Sequence, residues 1–372
     1  MSIGIDFGNS FTRVALKKDS EAPQLLNIDG ELKEMPSFVY IKPDGALVAG
    51  SEAKSHSEAE PKNTINNLKR FTGASYSICV QEGQPYPFEL VNENNKDQHA
   101  AVACTVNGEK KVYTVSQLLN SIFQKVAQNP ELAGKKVVLT IPPYMNIVQR
   151  EIIKKAAKDA NLKIIDVVYE PFAAIAAYAD KIPDGVRNIV VFDISQTNTV
   201  VSVCKGRKTN PRLQSWSGDD VGGDSFTGDA AQFISREFRV TYKQPIKNNQ
   251  EAMDKLFKCI DEAKIKLLDS ETVEMSVPQI LPGIDYKDSM DREKFDYMIE
   301  DTLGNVMEIV DRALEDAKIS KKDVTDVIVC GGTARLPRIV DVVEQHIGVK
   351  PITGIDPANV IAFGASILAS QI

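Results

Sequence analysis

The chain has 372 residues, 43% hydrophobic and 26% charged, which suits two lobes with substantial cores and is not the composition of a disordered chain. Its formal net charge of −7 argues against a general nucleic-acid-binding surface, which needs a basic patch. One locally donor-rich anion site is still compatible with that balance. Asp6 interrupts the apolar start after about five residues, too soon for a secretory leader. The longest apolar run, Phe172 to Ala179, is far below the ~20 residues of a membrane span, so a soluble, cytoplasmic protein is expected.

Taken in chain order, Ile3-Gly4-Ile5-Asp6-Phe7-Gly8-Asn9-Ser10 reads as a short apolar strand that ends in an aspartate and a small-residue turn. Thr12 to Leu16 follows as a second strand. The polar stretch from Gln81 to Val112, with Pro85, Pro87 and the run Asn92 to Asp97, predicts an irregular insertion or a hairpin excursion. Val137 to Ile141 is a buried-strand run that meets Pro142-Pro143 and then a helix from about Ile147 to Ala160. Ile182-Pro183-Asp184-Gly185 marks a crossing between lobes. Beyond it the pattern repeats: Ile189 to Thr197 gives strand, aspartate and turn, and Thr199 to Val203 the partner strand. Asp326 to Cys330, Gly331-Gly332 and a helix from about Pro337 to His346 then echo the second part. Two such halves imply a duplicated α/β architecture with a cleft between them.

The five cysteines form no C-x-x-C pair and read as reduced core residues, Cys330 as a buried strand residue. The histidines His56, His99 and His346 are too scattered to suggest zinc. The chemistry concentrates at the turns. Asp6 and Asp193 each close a strand, and two carboxylates at a cleft suit Mg2+, which keeps several waters and takes one or two protein carboxylates beside phosphate oxygens. The plainer reading is that each aspartate only starts a turn. Gly8-Asn9-Ser10 lets backbone amides approach a phosphate. Gly331-Gly332 lies between a strand and a helix start, and Gly222-Gly223-Asp224-Ser225 is a second double glycine before a helix. Any one such pair is usually a plain turn; the set of three is more specific.

With these residues in view, the chain resembles the actin and sugar-kinase superfamily, and within it the heat shock protein 70 family. Ile3 to Ser10 resembles that family's first phosphate motif, Lys62 to Gly73 its catalytic-lysine segment, Val137 to Tyr178 its long first-lobe signature, and Gly331 to Pro337 its G-G-S-T-R-I-P turn. The resemblance is collinear from Ile3 to Ile372 and implies an α/β, duplicated actin-like ATPase fold of two lobes flanking a central nucleotide cleft. It implies lobe I over 1–183, lobe II over 184–356 and a C-terminal helix over 357–372 returning to lobe I. The chain reaches Ile372 where the family would enter a linker and a peptide-binding domain, so no peptide-binding domain is expected within it.

By the same resemblance the cofactors are ATP or ADP with Mg2+. Asp6 and Asp193 surround the hydrated metal, Lys69 contacts the γ-phosphate, and Glu170 holds metal-bound water. Catalysis would thus rest on Lys69, Glu170 and Asp193. Gly8, Asn9, Ser10, Phe11, Ser195, Gln196, Thr197, Gly222, Gly223, Lys264, Gly331, Gly332 and Thr333 contact nucleotide, and Arg335 packs on the adenine face. Pro142 and Arg150 match a pair that communicates between lobes.

Departures from the family narrow the expected activity. Its second phosphate loop, Asp-x-Gly-Gly-Gly-Thr-x-Asp, here reads Asp193-Ile194-Ser195-Gln196-Thr197-Asn198-Thr199-Val200. Three glycines, a threonine and the second aspartate are replaced. Asn9 replaces a threonine, Ile265 an arginine, Leu268 a serine, and both Asp261 and Asp224 a glutamate. These losses predict a domain that binds ATP and hydrolyses it slowly or not at all. Asp166 stands where the family carries the arginine that meets a J-domain co-chaperone, so a non-standard contact and no ordinary J-domain stimulation are expected. Within the family the pattern is most similar to atypical members of the ribosome-associated complex, which implies a partner platform, with neither direct nucleic-acid nor membrane binding. The alternatives are an active chaperone ATPase domain, a small-molecule kinase of the superfamily, and an actin-like filament protein.

Overall fold

In a computed structural model, residues 1–81, 86–93 and 99–372 are described. The chain divides into two compact units, one of Met1–Ile182 with Asn359–Ile372 and one of Pro183–Ala358.

The main sheet of the first unit runs in the order Ile164–Tyr169, Lys136–Ile141, Ser2–Phe7, Phe11–Lys17 and Gln24–Leu25, with Glu34–Pro36 also pairing the Phe11–Lys17 strand. Ser2–Phe7 is antiparallel to its hairpin partner and parallel to Lys136–Ile141, with Ile5 opposite Leu139. Covered on both faces, these strands are near-continuous apolar runs. The Val115–Ala127 helix starts on a capping box in which Thr114 and Gln117 exchange side-chain and backbone bonds, and Asn146 with Gln149 does the same for Ile147–Asp159. Phe7 meets Phe123 at 5.5 Å between ring centroids in the core.

Val360–Gln371 packs on this sheet through small residues. Ser2 Oγ donates to Ser366 O at 2.9 Å. A β-carbon on Gly4 would fall on the Ser366 nitrogen and lie 2.5 Å from Ala362 O, and one on Gly364 would fall on Ala173 O. The helix therefore sits at a distance that only glycine permits. Gly4→Ala is expected to destabilise the first unit by about 3 kcal/mol, since both obstacles are backbone; an unchanged denaturant midpoint would refute this close approach.

The expected excursion between Gln81 and Val112 is more regular than its composition suggests. Glu89–Asn92, Ala100–Val106 and Glu109–Thr114 form an antiparallel meander. Residues 82–85, Pro85 among them, and 94–98 of that expectation lie outside the described residues.

The second unit repeats the motif. Its sheet runs in the order Asn210–Asp219, Thr199–Arg207, Arg187–Ile194 and Asp326–Cys330. Arg187–Ile194 is again antiparallel to its hairpin partner and parallel to the later strand. Asp6 and Asp193 hold equivalent places, each next to last in its strand, opposite Arg13 and Val200 respectively. A separate hairpin, Thr272–Leu281 with Ile284–Asp291, and the helices Gly223–Tyr242, Gln250–Lys266 and Glu300–Ala317 complete a core centred on Phe192, Phe226, Phe238 and Ile260. Among the described residues none of the five cysteines is in a disulfide, and four of them are buried. Among the described residues no helix is long and apolar enough to cross a membrane, and no cluster of histidine, cysteine and acidic residues could hold a metal by itself.

Candidate functional site

In the first unit the predicted charges converge. Leu68–Phe71 is a single helical turn that carries Lys69, and Glu170 opens the Glu170–Ala177 helix directly after a sheet strand. Their side chains meet at 2.6 Å, both buried. Burial pulls the Lys69 ammonium down, but Glu170, then Tyr144 and Asp6, outweigh it and hold its pKa above the ordinary lysine value. Burial pushes the Asp6 carboxyl up from 3.8 to about 6, opposed by Lys69 and reinforced by Glu170. Asp6, Lys69 and Glu170 are therefore one electrostatic group.

The turn after Asp6 is tightly tied. Gly8 N donates to Phe11 O at 3.0 Å, and a β-carbon on Gly8 would fall on that oxygen. Ser37 Oγ donates to Gly8 O at 2.8 Å, and Ser37 N to Ser10 O at 2.9 Å. Asn9 Nδ2 donates to Asn67 Oδ1 at 2.8 Å. Asn67 is left-handed (φ 57°) and immediately precedes the lysine's turn, so Asn9 fastens the Gly8–Ser10 turn to the Lys69 segment. Arg13 and Lys54 lie 5.6 and 5.5 Å from the centroid of the Phe11 ring. Ser37 and Asn67 were not anticipated. Ser37 carries no local signal; the Asn-Asn pair before a helix is one that could have been read.

The second unit brings together the 195–198 turn, Gly222-Gly223, Lys264 and Gly331 to Thr333. Ser195 O accepts from Gly223 N at 3.1 Å and from Thr333 Oγ1 at 2.8 Å. Gln196 O accepts from Asp224 N at 2.8 Å, and Gln196 Nε2 donates to Asp224 Oδ1 at 2.9 Å. Burial raises the Asp224 pKa, with Gln196 and Lys264 opposing. A β-carbon on Gly222 would lie 2.6 Å from Ser195 O, and one on Gly223 2.7 Å from Thr333 Oγ1, so both glycines make room for protein. Gly331 has φ +95°, and a β-carbon there would fall on Ile194 O and lie 2.6 Å from Asp193 Oδ1. Gly332 has open space around it.

Two expected contact residues have other engagements. The Lys264 ammonium is buried and donates to Asp261 Oδ1 at 2.6 Å, Thr227 Oγ1 at 2.8 Å and Gly223 O at 3.0 Å, all that its three protons allow. Its first observed task is to tie two helices together. Arg335 makes a two-pronged pair with Asp356, at 2.8 and 2.7 Å, which fixes the guanidinium plane. Arg150, expected in communication between lobes, pairs with Asp166 at 3.2 Å within the first unit. Asp166 is therefore not an unaccompanied negative charge.

The Asp6 set suits a hydrated magnesium ion: few carboxylates, all hard oxygen donors, with one carboxyl whose ionisation is suppressed by burial and would be relieved by a cation. The sign of that suppression makes a prediction. The folded state retains a proton that the unfolded chain releases near 3.8, so Asp6 favours folding below that pH, and the advantage is lost as pH rises through about 6. Asp6→Asn is expected to raise the melting temperature above pH 6 and to flatten its dependence between pH 4 and 6. A lower melting temperature at pH 7 would contradict it.

A duplicated α/β fold whose central hairpins each end in an aspartate and a tight turn is the architecture of actin-like ATPases. The chain belongs to the Hsp70 family: that family's model, described as Hsp70 protein, matches residues 2–371. Curated relatives include a heat shock 70 kDa protein of Neurospora crassa, 29% identical over 378 residues, which cover 99% of this chain and 58% of the relative. Heat shock 70 kDa protein 2 of Paracoccidioides lutzii is 28% identical over 378 residues, covering 99% and 57%. A heat shock 70 kDa protein of Emericella nidulans is 28% identical over 377 residues, covering 99% and 58%. The chain thus spans somewhat more than half the length of these relatives and corresponds to the family's nucleotide-binding domain.

Proposed function

We propose that this chain binds ATP or ADP with Mg2+, hydrolyses ATP slowly or not at all, and serves as a regulatory platform in protein folding. The observation that carries the reading is the buried Lys69–Glu170 pair coupled to Asp6, near the end of the strand that leads into the Gly8 turn. A point-charge cation and two carboxylates are what a metal-bound triphosphate requires. Bound magnesium would offset phosphate charge. Lys69 would orient the terminal phosphate, Glu170 would position Lys69 and metal-bound water, and Asp6 with Asp193 would hold the hydrated ion. Gly8, Asn9, Ser10, Phe11, Gly332 and Thr333 would line the phosphates and ribose, and the fixed guanidinium plane of Arg335 would pack on adenine.

Slow hydrolysis follows from the other turn. Ser195, Gln196 and Thr197 place side chains where the family has glycine, and Val200, where it has a second aspartate, is buried in a strand. One lost transition-state donor costs ~3 kcal/mol, or about a hundredfold in rate. The second reading is an active chaperone ATPase domain, favoured by the survival of Asp6, Lys69 and Glu170 together. Calorimetry with ATP, ADP and a non-hydrolysable analogue, followed by single-turnover hydrolysis, separates the two. Binding with little phosphate release supports the platform; no binding would sink both.

The proposed partner is a J-domain-type co-chaperone, in a cytoplasmic, ribosome-associated setting. The Arg150–Asp166 pair offers a compensated surface where the family offers an arginine, so added J-domain should not accelerate ATP turnover.

A further inference from the structure

We infer that the Ser195 hydroxyl is a built-in substitute for a phosphate oxygen, and that it limits what the second unit gains from a nucleotide's phosphates. The inference rests on the proposed nucleotide binding. Ser195 Oγ lies 3.3 Å from Thr197 N and 3.2 Å from Asn198 N, and both amides donate to it. Its own proton goes to Asn198, with Oδ1 at 2.7 Å and the carbonyl oxygen at 3.0 Å. A hydroxyl has one proton and two lone pairs, so this one is fully used.

Two amides converging from one turn onto a single oxygen is the arrangement by which backbone nests hold anions. Here the oxygen is supplied from within the turn, by a side chain at a position where the resembled family has glycine. The surrounding donors are occupied in the same way. Ser195 O takes Gly223 N and Thr333 Oγ1, and Gln196 O takes Asp224 N. The amides that open the Gly223–Tyr242 helix, which would otherwise favour phosphate, are thus bonded to the turn. An entering phosphate exchanges one set of hydrogen bonds for another and gains only the difference.

In wild type the second unit should therefore add little to ATP affinity, leaving the phosphates to the first unit's Lys69 and Gly8 turn. Ser195→Gly and Ser195→Ala both remove the oxygen and free the two amides, the second without adding glycine's backbone freedom. Each should strengthen ATP binding about tenfold or more while leaving adenosine unchanged, and Ser195→Thr, which keeps the hydroxyl, should behave as wild type. The measurement is calorimetric titration of each folded variant with Mg-ATP, Mg-ADP and adenosine, with circular dichroism confirming the fold. If wild type binds nucleotide and both Ser195→Gly and Ser195→Ala bind ATP no better, the substitute role is overturned and nucleotide binding stands. If neither wild type nor any variant binds, both fall. Binding of ATP by both Ser195→Gly and Ser195→Ala, with none by wild type, would support the substitute role and overturn the proposed binding by the natural chain; binding by Ser195→Gly without Ser195→Ala would overturn the substitute role.

Discussion

Replacing Lys69 by methionine is expected to destabilise the first unit by about 3–5 kcal/mol, because it leaves the Glu170 carboxylate buried without its partner. The double variant Lys69→Met with Glu170→Gln should recover most of that loss, since the uncompensated charge has gone with it. Denaturant unfolding followed by circular dichroism reads both. The recovery matters more than the loss. A lysine retained only for packing would give additive losses, whereas a pair that carries opposite charges into a buried site gives a strongly coupled cycle. Neither variant should support phosphate release. The pair is costly to keep in a protein that only needs to fold, because hydrophobic residues of similar volume would stabilise at least as well. Its presence is best explained by a ligand.

The second large effect separates two adjacent glycines. Gly331→Ala is expected to cost the second unit about 3 kcal/mol, since it forces a left-handed residue and a clash with Ile194 O at once. Gly332→Ala should change stability by no more than about 0.5 kcal/mol, because nothing lies within 4 Å of the added carbon. If Gly332 is there to let a nucleotide approach, Gly332→Ala should weaken ATP binding about tenfold while the melting curve stays in place. Unfolding of Gly332→Ala, or tolerance of Gly331→Ala, would overturn this division of roles.

That division also shows what the sequence disclosed and what it withheld. The two strand–aspartate–turn units were legible because local apolar runs and turn residues specify a hairpin without outside help. The register bears this out, with Asp6 opposite Arg13 and Asp193 opposite Val200. The helix expected from about Ile147 starts there, on a capping box of Asn146 and Gln149. The reason for each glycine was not legible. Gly222, Gly223 and Gly331 look like phosphate-approach residues in the sequence, yet each has a steric reason inside the protein. Gly4 and Gly364 gave no signal, because their partners, Ser366 and Ala173, come from distant parts of the chain. The acceptors of Lys264, Thr227 and Gly223, lie on another helix and emerge only when the two helices pack. The meander within residues 89–114 was hidden by composition, because its last strand is largely solvent-facing and polar. The pairing of Asp166 with Arg150 was not legible, because Arg150 lies 16 residues away on the preceding helix.

We propose that this Hsp70-family chain holds nucleotide but scarcely cleaves it. The most direct test is single-turnover hydrolysis of Mg-ATP pre-bound to an excess of the chain, run beside the corresponding domain of a heat shock 70 kDa relative. The expected result is stable binding with phosphate release at least about a hundredfold slower than the relative's. Release at the relative's rate, abolished by Lys69→Ala in a variant that still folds, would contradict the account.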